Sequence, residues 1–115
     1  MDGAEKAYRA AIEADPGYAD AHNNLGYLRL TGLPNLKGAE EAYSNALAID
    51  SSHTLAQAGL HFAQAALIEQ SCGDLTVAVG QYEEATVKWG AVLGAEHEAP
   101  QMARAAAARV RSALP

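Results

Sequence analysis

Apolar residues recur every three or four positions along most of the chain. This spacing places side chains on one face of an α-helix, whereas the alternation of a strand is not seen. Val, Ile and Thr are sparse and alanine is abundant, which also favours helices over strands. The pattern predicts an all-α chain of about six helices, interrupted by segments rich in Gly, Pro, Asn and Ser.

Three of the predicted helices share one motif, an alanine followed four residues later by a tyrosine and three residues after that by another alanine. The tyrosines are 35 residues (8 to 43) and 39 residues (43 to 82) apart. Spacings of four and three put each triplet on one helix face, where a large ring between two small side chains suits close helix packing. The triplets are Ala4/Tyr8/Ala11, Ala39/Tyr43/Ala46 and Ala78/Tyr82/Ala85.

Residues that favour helix ends stand between these segments. Gly32, Gly73 and Gly94 are predicted to stop helices, and Asn35, after Pro34, is a candidate cap for the next one. Asp2 and Glu5 have the spacing of a capping box, so the first helix is predicted to begin almost at the first residue; Pro100 is expected in the first turn of the last helix.

Composition limits the classes of function. A chain of 115 residues forms one small domain, and a net charge of −6 with a pI near 5.0 argues against a nucleic-acid surface. No run approaches the roughly 20 apolar residues that span a bilayer, so the chain is expected to be soluble, without membrane insertion. An intracellular location, in a compartment that the sequence does not name, is also expected, since a single cysteine is compatible with a reducing environment. Cys72 is the single cysteine, so no intrachain disulfide can form.

Catalytic and metal-binding patterns are not found. The sequence has no Gly-rich phosphate loop, no serine elbow and no pair of closely spaced Cys or His ligands; His53 and His61 are eight residues apart. Cys72 lies at a predicted helix end, where the helix dipole disfavours a thiolate. Trp89 is interpreted as a packing residue against the last helix. The chain is therefore not expected to be an enzyme or to need a cofactor or metal.

The repeated pattern resembles the tetratricopeptide repeat, a helix–turn–helix of roughly 34 residues with an early Leu-Gly pair, a later Ala and aromatic, and a closing proline. The resemblance covers residues 4 to about 93 and is strongest in the first half. The residues that match are Leu25 and Gly26, then Ala39, Tyr43 and Ala46, and before them Ala4, Tyr8, Ala11 and Pro16.

The sequence also departs from this family's pattern. His22 stands at the usual tryptophan position, Ser51 replaces the closing proline, and one extra residue lies within 33–36. The third unit is looser: its aromatic is Phe62, its Leu-Gly pair is replaced by two alanines at 65 and 66, and its first helix is longer by about five residues, more than one helical turn. The sequence therefore does not determine which residues take which repeat positions after residue 53.

The resemblance implies a right-handed superhelix of antiparallel helical hairpins in one domain, 1–115. Residues 2–15 would be the second helix of an incomplete repeat, 18–50 a full repeat, 53–93 an extended repeat and 97–114 a capping helix. The first helix lacks its hairpin partner, so either an upstream segment or another chain, including a second copy, would cover its apolar face. The side chains expected to hold the helices together are Tyr8, Ala11, Leu25, Gly26, Ala39, Tyr43, Ala46, Phe62, Ala78, Tyr82 and Ala85.

The family template also implies a binding surface on the concave side of the stack, lined mainly by the first helix of each hairpin. It places Asp20, Asn23 and Tyr27 there with Asn24 nearby, and the amides could hydrogen-bond the backbone of a peptide. When the third unit is aligned by counting back from Gly73, Leu60, Ala63 and Leu67 would form an apolar inner wall of this surface. The alternative is that they are core residues, which an incorrect repeat frame assigns to the surface.

One subtype of the family grips a peptide's terminal carboxylate with lysines, an arginine and asparagines. Asn24 fits one such position, but residues 54–71 contain no Lys or Arg, which argues against this clamp. The sequence thus favours a non-catalytic scaffold that binds a protein or peptide partner in the concave groove. Two alternatives stay open: a structural subunit of a stable assembly, and an accessory region of an enzyme whose catalytic part lies elsewhere.

Overall fold

The computed structural model describes residues 2–32 and 35–115, apart from the side chain of Asp2. This part of the chain forms six helices and contains no strand. Each helix packs against the next along the chain, and α2 also contacts α4, so the helices form a stack of hairpins 49 Å long. The helices are α1 Asp2–Ala14, α2 Ala19–Thr31, α3 Leu36–Ile49, α4 Thr54–Gln70, α5 Leu75–Leu93 and α6 Glu98–Ala113.

Side-chain caps define several helix starts. Asn35 caps α3, its Oδ1 accepting the backbone N–H of Gly38 at 2.9 Å. Two histidines, His53 before α4 and His97 before α6, cap their helices through Nδ1, at 3.2 and 3.0 Å from the nitrogens that donate to them. Nδ1 is therefore unprotonated in both rings, which leaves the ring proton on Nε2. The predicted turn residues 33 and 34, and the Asp2 carboxylate of the predicted capping box, lie outside the described part.

The ends of α4 and α5 use different residues in the left-handed conformation. Gly94 follows α5 with φ 89°, where glycine is the favoured residue. At the end of α4 the positive φ, 56°, belongs to Cys72 and not to Gly73. Gly73 instead donates its N–H to the carbonyl of Ile68 at 2.8 Å. The expectation that Gly73 ends the helix is wrong in this respect, because the chain reverses one residue earlier.

The ring of Tyr43 forms the centre of the first core. It lies between α2 and α4 and is fully buried, and a side-chain carbon at Gly26 would come within 2.9 Å of the ring. Gly59 on α4 lies against the opposite end of the same ring. The two glycines thus make room for a tyrosine between three helices. Its hydroxyl has no hydrogen-bond partner among the described residues, and burial raises its pKa.

A second core joins α4, α5 and α6. Tyr82 is buried there with its ring 4.9 Å from that of Phe62, and the predicted small residues Ala78 and Ala85 are fully buried beside it in the same helix. The alanines of the middle triplet, Ala39 and Ala46, are buried likewise. Tyr8 and Ala11 in α1 are only partly buried, because α1 packs mainly against α2.

Trp89 connects this core to the last helix. It is 2 % exposed and packs with Ala99 and Ala103 of α6, while its ring is 5.7 Å from that of Phe62. The small side chains of α6 let that helix approach the indole closely. The contact attaches α6 to the end of the stack.

A polar network joins α4, α5 and α6 near the opposite end of α6. Arg109 donates two hydrogen bonds to the carboxylate of Glu69, at 2.8 and 2.9 Å, and the hydroxyl of Tyr82 donates to the same carboxylate. The Arg109 guanidinium, aided by Tyr82, holds the pKa of Glu69 below its ordinary value.

This network predicts an acid-dependent stability term. Because the pKa of Glu69 is lower in the folded than in the unfolded chain, its contribution is present above the unfolded value near 4.3 and is lost as the pH falls through the folded value. Arg109→Ala should lower the free energy of unfolding at neutral pH by less than about 1 kcal/mol, because Arg109 is mostly exposed. Urea unfolding from pH 7 to pH 3 checks this: the difference between the two proteins should shrink in acid, and a difference that grows would contradict the assignment.

Candidate functional site

A pocket of about 300 Å³ opens between the first helices of the stack and its C-terminal end. Side chains of α1, α2, α4 and α5 line it, together with the residue that caps α6. It therefore lies where the start of α6 meets the face of α2. The lining residues are Tyr8, Asn23, Asn24, Tyr27, Leu28, Thr31, Leu55, Trp89, Leu93 and His97.

Three of the residues predicted from the sequence meet at this pocket: Asn23, Asn24 and Tyr27. Asn24 is exposed, whereas Asn23 is 9 % exposed and is the buried polar residue of the core. The side-chain amide of Asn23 makes no hydrogen bond to any residue that the structure describes. Among the described residues the side-chain oxygen or nitrogen that is both buried and unpaired is the Tyr43 hydroxyl, so the amide atoms of Asn23 stay open to the pocket and can pair with a ligand there.

Tyr27 connects α2 to the start of α6. Its hydroxyl donates a hydrogen bond of 2.8 Å to Oε1 of Glu98, and its ring packs edge-on against Trp89 with ring centres 6.2 Å apart. Burial first, and then the Glu98 carboxylate, raise the pKa of Tyr27 well above its ordinary value, so the phenol remains a neutral donor. This contact closes one side of what the family template describes as an open groove.

Asp20 occupies a neighbouring position. It lines a second, shallower pocket with His53 and Val92, and this pocket shares Leu55 with the first. The Nε2–H of His53 donates to Asp20 Oδ1 at 2.6 Å, as the capping role of Nδ1 requires. Asp20 therefore places a carboxylate beside the main pocket and does not line it.

The predicted leucines lie elsewhere. Leu60 is partly buried against the core around Tyr43, and Leu67 lines a separate surface pocket of about 600 Å³ with Ile68 and several polar residues. Ala63, expected on the same inner wall, is fully buried, so the prediction that it faces the groove is wrong. In the long helix α4 its side chain points into the core around Tyr43. The structure does not bring these residues to the pocket of Asn23 and Tyr27.

A family model described as tetratricopeptide repeat matches residues 7–86, which is most of the chain. The chain belongs to the tetratricopeptide repeat family. The match covers α2 to α4 in full and the parts of α1 and α5 that carry the tyrosines of the first and third triplets. No curated protein matches the chain, and neither does any solved structure.

Tetratricopeptide repeats generally mediate protein–protein interactions and are generally non-catalytic. In this member the described part of the chain holds no cluster of three or more His, Cys, Asp or Glu side chains that could bind a metal ion. None of its helices, within the described residues, is long and apolar enough to cross a membrane.

Sequence reasoning placed three of the ten lining residues of this pocket in the tetratricopeptide domain and missed the other seven. Thr31 follows Tyr27 by four residues on the same helix face, so helical periodicity could have found it. The contributions of Leu93 and His97, and the contact with Glu98, come from residues about 70 positions away. Local sequence patterns therefore do not predict the contact between Tyr27 and Glu98.

Proposed function

We propose that this tetratricopeptide domain binds a partner protein by accepting a short segment of it in the pocket lined by Asn23, Asn24 and Tyr27. The observation that carries the proposal is Asn23, a mostly buried residue of the pocket wall whose amide is open to the pocket and makes no hydrogen bond within the described chain. The backbone of a bound segment offers both a donor and an acceptor, which is what an amide side chain needs. The family's general role in protein interactions supports the same conclusion.

The size of the pocket limits the segment to a few residues. A volume of about 300 Å³ lies at the lower end of the 300–1,000 Å³ of ligand sites, and the contact between Tyr27 and Glu98 blocks extension toward α6. A long peptide lying along all the hairpins is therefore disfavoured. One or two side chains and their backbone would fill the site.

Asn23→Leu provides the test, because binding and folding should respond differently. The amide makes no hydrogen bond within the described chain, so its replacement should change the free energy of unfolding by less than about 1 kcal/mol. The same change should weaken peptide binding about tenfold, because it removes hydrogen bonds made only in the complex. Suitable probes are peptides selected from a random display library on the wild-type chain, with affinities measured by calorimetry.

Asn45→Leu is the matched control, since Asn45 is exposed on α3 and lines none of the pockets described above. It should leave the affinity for the selected peptides unchanged. If Asn23→Leu instead destabilised the chain by 2 kcal/mol or more, Asn23 would be a structural residue. If it left the affinity of every selected peptide unchanged, the pocket would not be the binding site.

A second candidate function is a stable assembly joined through α1. No residue among 3–14 is fully buried, and Tyr8, Ala11 and Ile12 keep part of their surface exposed. The equivalent tyrosine of the next repeat, Tyr43, is covered from both sides. The mass of the chain in solution distinguishes the candidates, since a monomer at high concentration argues against an assembly formed from copies of this chain.

A further inference from the structure

Resting on the proposed function, we infer that the segment bound in this pocket carries a lysine or arginine side chain as its main recognition element. The inference concerns the chemistry of the partner. It follows from three features of the site: the absence of cations in its lining, the carboxylates beside it, and the combination of apolar and aromatic walls around the unpartnered amide.

The charges around the pocket are of one sign. No Lys or Arg occurs among the described residues that line the main pocket or the shallower one beside it. Glu98 lies at the side of the main pocket, held by the Tyr27 hydroxyl, and Asp20 lies beside it in the shallower pocket. A carboxylate can accept about four hydrogen bonds, so Glu98 keeps acceptor capacity beyond its contact with Tyr27. The site is thus complementary to a cation and repels an anionic ligand.

The nearest arginine along α2 does not change this sign. Arg29 donates to Glu5 Oε1 at 3.0 Å and to the carbonyl of Gly38 at 3.1 Å, and its side chain is only 12 % exposed. Its charge is therefore paired within the stack of α1, α2 and α3. It does not offer a partner for a ligand carboxylate in the pocket.

The walls of the pocket match the rest of a cationic side chain. Leu28, Leu55 and Leu93 provide apolar surface for the methylene stem. Tyr8 and Tyr27 provide aromatic rings, which attract a cation at their faces. The carbonyl of the unpartnered Asn23 amide can accept an N–H from a guanidinium or ammonium group, or from the peptide backbone. An anionic side chain would find amide and hydroxyl donors there but no cation to pair with, and a purely apolar one would make no hydrogen bond to the Asn23 amide.

The test begins with peptides selected from a random display library on the wild-type chain. We expect a lysine or arginine at a shared position of the peptides whose binding depends on Asn23. Replacing that residue with norleucine, which keeps the stem and removes the charge, should weaken binding about tenfold. Binding should also weaken as salt is added, because the attraction is between partly exposed charges.

The matched pair of chain variants is Glu98→Gln and Glu96→Gln. Both reduce the negative charge of the same loop by one, but Glu96 is exposed and lines none of the pockets described above. Glutamine still accepts the Tyr27 hydrogen bond, so Glu98→Gln should keep the fold and lose about fivefold in affinity. Glu96→Gln should bind like the wild-type chain. Unfolding curves for both variants verify that they are folded.

If Glu98→Gln has a small effect, reversing the charges of both Glu98 and the peptide's cationic residue provides a second test. Glu98→Lys should lose the selected peptides and regain affinity for versions in which the cationic residue is replaced by glutamate. Peptides that depend on Asn23, share no Lys or Arg and bind Glu98→Gln as tightly as wild type would overturn this inference and leave the proposed function standing. If no selected peptide depends on Asn23, the proposed function fails, and this inference fails with it.

Discussion

Replacing Trp89 with alanine is expected to lower the free energy of unfolding by about 4 kcal/mol. The indole is 2 % exposed and contacts Tyr27, Phe62 and the small residues of α6. Its removal leaves a cavity where three helices meet, and the rigid aromatic neighbours cannot fill it. Since domains of this size are stable by about 5–15 kcal/mol, the loss would be a large fraction of the total. Urea denaturation followed by circular dichroism measures it without relying on the removed fluorophore.

Val87→Ala is the control for this experiment. Val87 is in the same helix but is 69 % exposed, so its truncation should change the free energy of unfolding by no more than about 0.5 kcal/mol. Trp89→Phe should lie between the two, because it keeps an aromatic ring in the same place. The loss in Trp89→Ala should be accompanied by faster amide hydrogen exchange in the first half of α6, because Ala99 and Ala103 lose their contact with α5. A cost below about 1 kcal/mol, or unchanged exchange in α6, would contradict this role of Trp89.

The all-α class and the repeat family could be predicted because the relevant information is local. Each Ala–Tyr–Ala triplet lies within a single helix, and the triplets recur at intervals close to the length of one repeat. The tetratricopeptide resemblance is confirmed by the family match over residues 7–86. Helix ends at Gly32 and Gly94 and the cap at Asn35 also follow from single residues and their neighbours.

The candidate site was predictable only where it lies on one helix. Asn23, Asn24 and Tyr27 share a face of α2 and line one pocket, as periodicity requires. The opposite wall depends on how α5 and α6 return to α2, which follows from packing between residues far apart in sequence. The contact of Tyr27 with Glu98 is of this kind, so the template's open groove gave no indication of the closed side.

The third repeat lacks the Leu-Gly pair, and its glycine makes a different contact. The sequence contains no Leu-Gly pair there, and alignment by turn position put two alanines, 65 and 66, in its place. In the structure the glycine that meets the tyrosine of the preceding helix is Gly59, on the first turns of α4. Gly26 meets the ring of its own hairpin partner, α3, whereas Gly59 meets the same ring from the next repeat, so Gly59 is not the counterpart of Gly26. Ala65 is buried in one cluster with Tyr82 of its hairpin partner α5. The contact at Gly59 therefore shows that a glycine is also needed between repeats.

Gly59→Ala is therefore expected to lower the free energy of unfolding by about 3 kcal/mol, although alanine is the better helix former. A side-chain carbon at position 59 would overlap the far end of the Tyr43 ring, which is fully buried and in contact with Gly26 on its other side. The ring cannot move away without separating α2, α3 and α4. Thermal and urea unfolding of the variant measure the cost.

Gly80→Ala is the matched control, because Gly80 is also inside a helix but has no atom within 4 Å of the added carbon. It should raise the free energy of unfolding by about 0.5–1 kcal/mol, the helix-propensity gain alone. A double-mutant cycle then assigns the cause. In a Tyr43→Leu background, Gly59→Ala should be much less costly, because the smaller side chain leaves room for the added carbon. Equal costs in the two backgrounds would show that the penalty at position 59 does not come from the ring.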